Sequence, residues 1–271
     1  MWLNSVRRMT VNKDATALDC VIFGTGGKAL VLIPGLSLQQ VKSAAFSLAY
    51  LYRCFAKQYT VYVVDKKAAV PDGYTIQDMA DDVAFLMERL HVGTADVFGI
   101  SQGGMIAQYL AIGHPRLVHK LVLGVTASRP NGAMEQVLDR WVEMARRREY
   151  GPFVIDMFET MYSPAYLKKY RWLFPVLSRV GKPKDFSRFI ALAQACRTCN
   201  SYPELSKITC PVFVIGGKQD LVVTGGASEE IAAALGCQIY MYGGLGHAAY
   251  QEAPDFNRRV QQFLNESCSC P

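Results

Sequence analysis

A serine in a glycine-rich turn is the first residue of this 271-residue chain that could do chemistry. Gly99-Ile-Ser101-Gln-Gly103 matches G-x-S-x-G, a pattern in which a sharp turn from a strand into a helix exposes a serine hydroxyl. The pattern alone also fits a glycine-rich turn with an incidental serine. However, an apolar run from Asp96 to Ile100 precedes the serine, and a helical run from Gln102 to Ile112 follows it. This context predicts a nucleophile, with only small residues tolerated at positions 99 and 103.

A serine is a poor nucleophile unless a base takes its proton, and the chain has four histidines. His247 is the candidate base because it follows the last predicted strand in a glycine-rich loop, Tyr242-Gly-Gly-Leu-Gly246-His247. A surface histidine is the plain alternative. We adopt that interpretation for the other three, which lie at helix ends or in a loop: His91, His114 and His119.

Asp220 is the candidate acid, because it follows the predicted strand Val212 to Ile215 after a short turn, Gly216-Gly-Lys-Gln-Asp220. An acid at this place could orient the histidine and stabilise its cation. Alone, it could equally be an ordinary turn aspartate. Taken with the other two residues, it completes the chain order Ser, Asp, His, which favours the catalytic interpretation.

A tetrahedral intermediate would need two hydrogen-bond donors for its negative oxygen. One candidate is the backbone N–H of Gln102, directly after the serine. The other is the N–H of Leu36 in Pro34-Gly35-Leu36-Ser37, a loop that follows the predicted strand Ala29 to Ile33. The same loop could also be a simple Pro-Gly turn.

The elements that must position these residues alternate between short apolar strands and amphipathic helices up to Ser128. Such a pattern predicts a parallel sheet covered on both faces. The apolar segments Leu18 to Phe23 and Ala29 to Ile33 lie on either side of Gly24-Thr-Gly-Gly27, and this pattern predicts a hairpin. From 129 to about 205 the segments are helical, and strands resume at Val212. We therefore predict an α/β fold with a mostly parallel central sheet flanked by helices. Its core would be 1–128 and 206–271, with an inserted helical cap at 129–205.

Composition narrows the class of protein. Apolar residues make up 51% of the chain and charged residues 19%, which is typical of a globular protein. The net charge of +6 is largely spread along the chain, so we expect no nucleic-acid partner. No apolar run reaches the ~18 residues typical of a membrane span. The N-terminus lacks a signal-peptide pattern, so we expect a cytoplasmic protein whose eight cysteines are free thiols.

No cofactor is predicted, because the chain has no dinucleotide fingerprint. Cys196-Arg-Thr-Cys199 has the spacing of a metal or redox pair, but it lies in a helical pattern with no matching pair nearby. We therefore predict no metal site either. The sequence leaves the oligomeric state open.

The chain resembles the α/β-hydrolase superfamily from Val21 to about Leu264. Four segments carry the resemblance: Leu30-Val-Leu-Ile-Pro-Gly35, Gly99-Ile-Ser-Gln-Gly-Gly104, Gly216-Gly-Lys-Gln-Asp220 and Gly246-His247. It implies an α/β-hydrolase fold and a serine hydrolase that uses Ser101, Asp220 and His247. One departure is that members usually carry His-Gly where this chain has Pro34-Gly35. This affects the assignment of the oxyanion donor rather than that of the other three residues.

The leading interpretation is a carboxylesterase-like enzyme that cleaves a carboxylic ester or related acyl bond through an acyl-enzyme intermediate. The same residues could serve a thioesterase, lactonase, carbon–carbon bond hydrolase, acyltransferase or cofactor-free perhydrolase. A non-catalytic binding module is the remaining alternative. The predicted cap is rich in aromatic residues, which suggests an apolar pocket for a small to medium hydrophobic substrate. The residues chosen to test this are Trp141, Phe153, Phe158, Tyr162 and Trp172.

Overall fold

The computed structural model describes residues 5–13 and 16–266, which form one eight-stranded sheet with helices on both faces. The strands are β1 (Arg7–Lys13), β2 (Thr16–Phe23), β3 (Lys28–Ile33), β4 (Tyr59–Val64), β5 (Ala95–Ile100), β6 (Val118–Gly124), β7 (Val212–Gly217) and β8 (Gln238–Tyr242). Their order is β1-β2-β4-β3-β5-β6-β7-β8. The β1–β2 and β2–β4 pairs are antiparallel and the others are parallel. The predicted α/β fold with a mostly parallel sheet is confirmed.

The helices cover the sheet and connect its strands. They are α1 (Ala45–Leu51), α2 (Ile76–Arg89), α3 (Gln102–Gly113), α4 (Gly132–Arg146), α5 (Tyr150–Met161), α6 (Pro164–Tyr170), α7 (Phe174–Leu177), α8 (Ser187–Arg197), α9 (Gly225–Leu235), α10 (Ala249–Glu252) and α11 (Phe256–Asn265). Short 3₁₀ turns lie at Arg53–Phe55, Pro115–Leu117, Arg171–Leu173 and Tyr202–Lys207. Within the described residues, no helix is long and apolar enough to cross a membrane.

The predicted hairpin between β2 and β3 is wrong, because β4 lies between them. β2 pairs with one edge of β4 in antiparallel orientation, and β3 pairs with the other edge in parallel orientation. The glycines of the connection instead allow the chain to pass close to the start of β4. A Cβ atom on Gly26 would lie 1.8 Å from the backbone carbon of Gln58. The hairpin in this region joins β1 to β2, with Lys13 opposite Thr16.

Alternate side chains of the central strands enter two separate cores. In β3, Val31 and Ile33 belong to the core beneath α2 and α3, whereas Leu30 and Leu32 belong to the core beneath α1 and α11. This two-residue alternation follows from strand geometry. Because both faces are buried, the strand appears in the sequence as a continuous apolar run.

The last helix is tied to the middle of the sheet by Lys120 of β6, which is 2% exposed. Its Nζ donates hydrogen bonds to the carbonyl oxygens of Phe263, Leu264 and Glu266, at 2.9, 3.3 and 2.5 Å. Carbonyl groups at a helix C-terminus lack partners within the helix. The lysine therefore supplies donors to the carboxyl end of α11.

Residues 129–205, all of which are described, contain helices and turns but no strand, and we call them the connecting segment. The last 3₁₀ turn extends two residues beyond it, to Lys207. Trp141, Phe153 and Phe189 pack into the same core as α2 and α3. The ring centroids of Phe153 and Phe189 are 5.0 Å apart, with the rings perpendicular. The connecting segment therefore rests on the sheet side that carries α3.

Candidate active site

Ser101 lies between β5 and α3 with a backbone φ of 54°. A positive φ costs a non-glycine residue free energy, so surrounding contacts must hold it. Its N–H donates to the carbonyl of Gly124 at 2.9 Å. Its own carbonyl accepts a hydrogen bond from Thr126 Oγ1 at 2.7 Å. These bonds fix the turn and leave the serine side chain at the carboxyl end of the sheet.

The turn leaves no space for side chains on its flanking glycines. A Cβ atom on Gly99 would lie 2.3 Å from the carbonyl oxygen of Gly103. One on Gly103 would lie 1.8 Å from the carbonyl oxygen of Ile33. The expected restriction to small residues at both positions agrees with this geometry. Gly35, in the loop that follows β3, also lies close to the serine. A Cβ atom on Gly35 would lie 3.1 Å from the Cβ atom of Ser101.

His247 and Asp220 meet Ser101 in one line of hydrogen bonds. Ser101 Oγ lies 2.9 Å from His247 Nε2, and His247 Nδ1 lies 2.8 Å from Asp220 Oδ2. The side chains of the histidine and the aspartate are 4% and 2% exposed, which protects the pair from water. With its proton on Nδ1, the imidazole donates to the carboxylate and accepts from the serine hydroxyl. This arrangement can remove the serine proton and stabilise the resulting cation.

The carboxylate of Asp220 is held by the backbone that follows it. Oδ1 accepts hydrogen bonds from the N–H groups of Val222 and Val223, at 2.8 and 3.0 Å. Oδ2 is thereby left for His247. Because both oxygens have partners, the carboxylate has a fixed orientation toward the imidazole.

The other three histidines lie away from Ser101. His91 is exposed, and His114 Nε2 lies 2.7 Å from Asp81. His119 Nδ1 lies 2.7 Å from Asp96 Oδ1 at the start of β5, and Tyr59 donates to Oδ2 of the same aspartate at 2.8 Å. The structure therefore brings one of the four histidines to the serine.

Both predicted oxyanion donors line the cavity that contains Ser101. Leu36 and Gln102 border it together with Gly35. Within the described part of the chain, neither of their backbone N–H groups donates a hydrogen bond. Two free N–H groups beside a serine hydroxyl can donate hydrogen bonds to a developing negative oxygen.

A buried lysine that the sequence analysis missed holds the loop containing Leu36. Lys66, which is 6% exposed, donates from Nζ to the carbonyl oxygens of Pro34 and Gly35 at 2.5 and 2.7 Å. Burial lowers the pKa of its ammonium group from 10.5 to about 8, and the nearby Arg188 adds to this while Asp65 opposes it. Nothing in the local pattern at this position indicates a buried lysine.

Arg188 of the connecting segment closes the site behind Lys66. Its Nη2 lies 2.8 Å from Asp65 Oδ1 and 3.0 Å from the carbonyl oxygen of Lys66. The other oxygen of Asp65 accepts from the N–H of Val41 at 2.9 Å. The Asp65–Arg188 pair therefore holds the chain at Lys66, and the ammonium group of Lys66 holds the loop that contains Leu36.

Two adjacent cavities share part of their walls. The smaller contains the serine and His247, and encloses about 490 Å³ between the atoms, its mouth included. The larger encloses about 1330 Å³ and extends from Gly35 toward α1 and α7. The residues common to both are Gly35, Leu36, Met157, Met161 and Tyr250. Most of the lining side chains are apolar.

The five aromatic residues selected from the sequence have three different positions. Trp141 lines the smaller cavity, and Phe158 and Tyr162 line the larger one. Phe153 is fully buried within the core of the connecting segment. Trp172 lies on the surface, with 73% of its area exposed.

Hydrogen bonds join the connecting segment to the residues that directly follow Ser101 and His247. Gln102 Nε2 donates to the carbonyl oxygen of Leu192 at 2.7 Å. The N–H of Ala248 donates to the carbonyl oxygen of Met161 at 2.9 Å. The connecting segment therefore contacts the chain next to both the serine and the histidine.

Cys196 and Cys199 are both buried, and burial raises the pKa of each thiol to about 12. Cys196 lines the smaller cavity, and its Sγ accepts a hydrogen bond from Gln102 Nε2 at 3.1 Å. Among residues 5–13 and 16–266, no three His, Cys, Asp or Glu side chains are grouped so that they could hold a metal ion.

The chain is similar to known hydrolases. The family model of the alpha/beta hydrolase fold matches residues 28–254. A 3-oxoadipate enol-lactonase from Acinetobacter baylyi is 24% identical over 79% of this chain and 80% of its own length. A Variovorax paradoxus protein, provisionally named as a carbamate hydrolase, is 28% identical over 88% of this chain and 92% of its own. The solved enol-lactonase of Burkholderia xenovorans is 22% identical, with a TM-score of 0.83 over 95% of this chain and all of that one.

Proposed function

Because the chain belongs to the alpha/beta hydrolase family, we propose that it is a serine hydrolase that cleaves a carboxylic ester or related acyl bond. The observation that carries this proposal is the line of hydrogen bonds from Ser101 through His247 to Asp220. Each member is positioned for the role it would have: the nucleophile is exposed in the cavity, and the base and acid are buried. A binding module would not require this order of donors and acceptors.

In the first half of the reaction, Ser101 Oγ attacks the carbonyl carbon of the substrate while His247 takes the hydroxyl proton. The oxygen of the tetrahedral intermediate accepts hydrogen bonds from the N–H groups of Leu36 and Gln102. Asp220 stabilises the imidazolium. His247 then gives the proton to the departing alcohol oxygen, which leaves an ester of the acyl group with Ser101.

In the second half of the reaction, a water molecule takes the part of the nucleophile that Ser101 had in the first half. His247 takes a proton from the water, whose oxygen attacks the acyl carbon. The intermediate collapses, the serine oxygen recovers its proton from the imidazolium, and a carboxylic acid leaves. No step in this scheme requires a metal or a cofactor.

The connecting segment would act as a cap over the serine, with 1–128 and 206–271 as the catalytic core. Its contacts with Gln102 and Ala248 support this division, because they join the segment to the residues that directly follow Ser101 and His247. The smaller cavity would hold the acyl group and the larger would hold the alcohol. This fits a small to medium hydrophobic acyl group joined to a bulkier apolar partner.

A fluorophosphonate probe tests the chemistry directly, because an activated serine displaces its fluoride and becomes phosphonylated. We expect one label per chain, located on Ser101 by peptide mass mapping, and no label on a Ser101→Ala variant. A panel of esters, thioesters, lactones and carbamates would then identify the acyl bond, since relatives are named for the latter two classes. Turnover of any panel member by unlabelled Ser101→Ala protein would contradict the proposal.

A further inference from the structure

The surface beside the larger cavity has a charge composition that neither the fold nor the hydrolysis requires. From Pro164 to Lys184 the chain has six basic residues and no aspartate or glutamate. The six, all exposed, are Lys168, Lys169, Arg171, Arg179, Lys182 and Lys184. Among the described residues, Arg171 is the one member of this set in an ion pair, with Glu159 at 2.8 Å. The other five charges therefore face solvent without a carboxylate partner.

Large apolar side chains are exposed in the same stretch. Trp172 is 73% exposed, Val180 63%, Val176 57% and Leu177 36%. We call residues 164–184 the basic–apolar surface. An apolar patch rimmed by charge on a folded protein is a sign of an interaction site.

The basic–apolar surface borders the larger cavity. Leu177 and Val180 line that cavity, which shares part of its wall with the smaller cavity that contains Ser101. Helix α1 contributes other parts of the wall and exposes two more rings, with Phe46 at 56% and Tyr50 at 60%. A ligand entering from this surface would therefore pass from exposed apolar side chains to buried ones.

We propose that the basic–apolar surface docks on an anionic lipid bilayer, from which the larger cavity takes its ester. The lysine and arginine side chains would contact the phosphate groups, while Trp172, Val176 and Val180 enter the boundary between headgroups and acyl chains. Tryptophan favours this interface because its ring is apolar and its N–H is polar. The excess of unpaired positive charge selects anionic lipid over a neutral surface. Docking is independent of the proposed hydrolysis, whereas uptake of the ester rests on it.

Docking can be measured by sedimentation of the full chain with phosphatidylcholine vesicles that contain phosphatidylglycerol, and with phosphatidylcholine alone. We expect binding to the mixed vesicles, weakened by added salt. The fluorescence of Trp172 should shift to shorter wavelength, a change that a Trp172→Phe variant lacks. Because an interfacial cation contributes about five-fold to affinity, Lys168→Gln together with Lys169→Gln should weaken binding about 10- to 30-fold.

A matched control removes the same charge at the other end of the sheet. Lys28 and Lys57 are exposed near the amino ends of β3 and β4, and changing both to Gln should leave binding within about two-fold. Equal weakening by the two double variants, or equal binding to both kinds of vesicle, would overturn the proposal. So would a concentration-dependent dimer without vesicle binding, since a second copy would then cover the surface.

A Ser101→Ala variant separates docking from hydrolysis. It should bind the mixed vesicles as the unaltered chain does, because Ser101 lies inside the protein. The unaltered chain should hydrolyse an ester dissolved in those vesicles faster than its Lys168→Gln, Lys169→Gln variant does, with equal rates on a water-soluble ester. If the two hydrolyse the vesicle-borne ester equally, uptake from the bilayer is refuted even when docking is observed.

Discussion

The two ends of β5 each carry an aspartate, a histidine and a hydroxyl group in hydrogen-bond contact, but in different order. At the carboxyl end, His247 lies between Asp220 and the hydroxyl of Ser101. At the amino end, Asp96 lies in the middle and accepts from both Tyr59 and His119. In that second cluster the histidine does not contact the hydroxyl, whose proton already points at a carboxylate.

Exposure also differs between the two clusters. The side chain of His247 is 4% exposed, whereas that of His119 is 56% exposed. Ser101 also has a positive φ and two free backbone donors beside it, which the amino-end cluster is not placed to use. The two clusters contain the same residue types or groups, so residue types alone do not make a site. The order of donors and acceptors, and the space around them, decides what the same three groups can do.

The largest expected difference between the two clusters appears when one member of each is removed. Ser101→Ala, His247→Ala and Asp220→Asn should each lower kcat by ~10³-fold or more, and combining them should add little. His119→Ala, Tyr59→Phe and Asp96→Asn should leave kcat within about three-fold, because these groups lie at the far end of the strand. Steady-state kinetics on one ester measures both sets.

The amino-end variants should instead lose stability. Asp96 is buried, so removing Tyr59 OH leaves a carboxylate oxygen without that donor, at a cost of about 1 to 3 kcal/mol. Urea unfolding gives this value. If any amino-end variant that stays folded loses turnover as severely as Ser101→Ala does, the two ends are not functionally distinct.

The spaces beside the two histidines also differ: the groove lined by Asp96 and His119 is more open and more polar than the two cavities at the carboxyl end. Trp141→Ala should change the preference for acyl chain length, and Phe158→Ala the preference among alcohols. Each ratio of kcat/KM should shift by about 10- to 200-fold, the range expected for lost apolar contacts. Ile239, which is exposed and lines neither cavity, supplies the control Ile239→Ala. If both variants lose activity equally on every ester, the connecting segment assembles the site rather than selecting the substrate.

A smaller effect is expected from Lys66, which holds the loop of the proposed oxyanion donor Leu36. Lys66→Met should lower kcat about 10-fold with little change in KM, because the loop stabilises the transition state more than the bound substrate. Lys67→Met is the matched control, since Lys67 pairs with Asp82 at 3.4 Å and does not contact the loop. A change confined to KM, or an equal loss in both variants, would count against this role of Lys66.

The last expected effect is a pH dependence of stability. The pKa of Lys66 is about 8 in the folded chain and 10.5 when the group is free, so the unfolded state holds the extra proton between these values. Stability should therefore rise with pH over this interval, by linkage. The measurement is the difference in unfolding free energy between the unaltered chain and Lys66→Met at pH 8 and pH 10. A difference that falls over this interval would contradict the assigned direction.

Local signals in the sequence predicted the parts of the fold that depend on neighbouring residues. The sequence pattern from Gln238 to Tyr242 predicts the last strand, and β8 has the same bounds. Thr75 with Asp78 three residues later predicts a helix start, and Thr75 caps α2. Its Oγ1 accepts from the N–H of Asp78 at 3.1 Å, and Asp78 accepts in return from the N–H of Thr75 at 2.9 Å. Capping and strand alternation are short-range properties, so a sequence alone displays them.

What the sequence did not predict depends on contacts between distant parts of the chain. Gly24 to Gly27 marks a turn, but no local pattern shows that β4 enters beside it. Lys66 is buried because Arg188 and Cys196, more than a hundred residues later, close over it. Phe153 and Trp172 are both aromatic residues of the connecting segment, and only packing shows that one is internal and the other external.

The contact between Lys120 and the end of α11 bears on how the chain folds during synthesis. β6 lies in the middle of the sheet, yet its buried lysine receives its hydrogen-bond partners from residues 263–266. Until those residues leave the ribosome, the amine would be buried without acceptors, which is costly. The core around β6 therefore has to stay open, or hydrated, until residues 263–266 have been synthesised and can supply these acceptors. A nascent chain that stops short of α11 would be a substrate for chaperones and proteases rather than a smaller version of the fold.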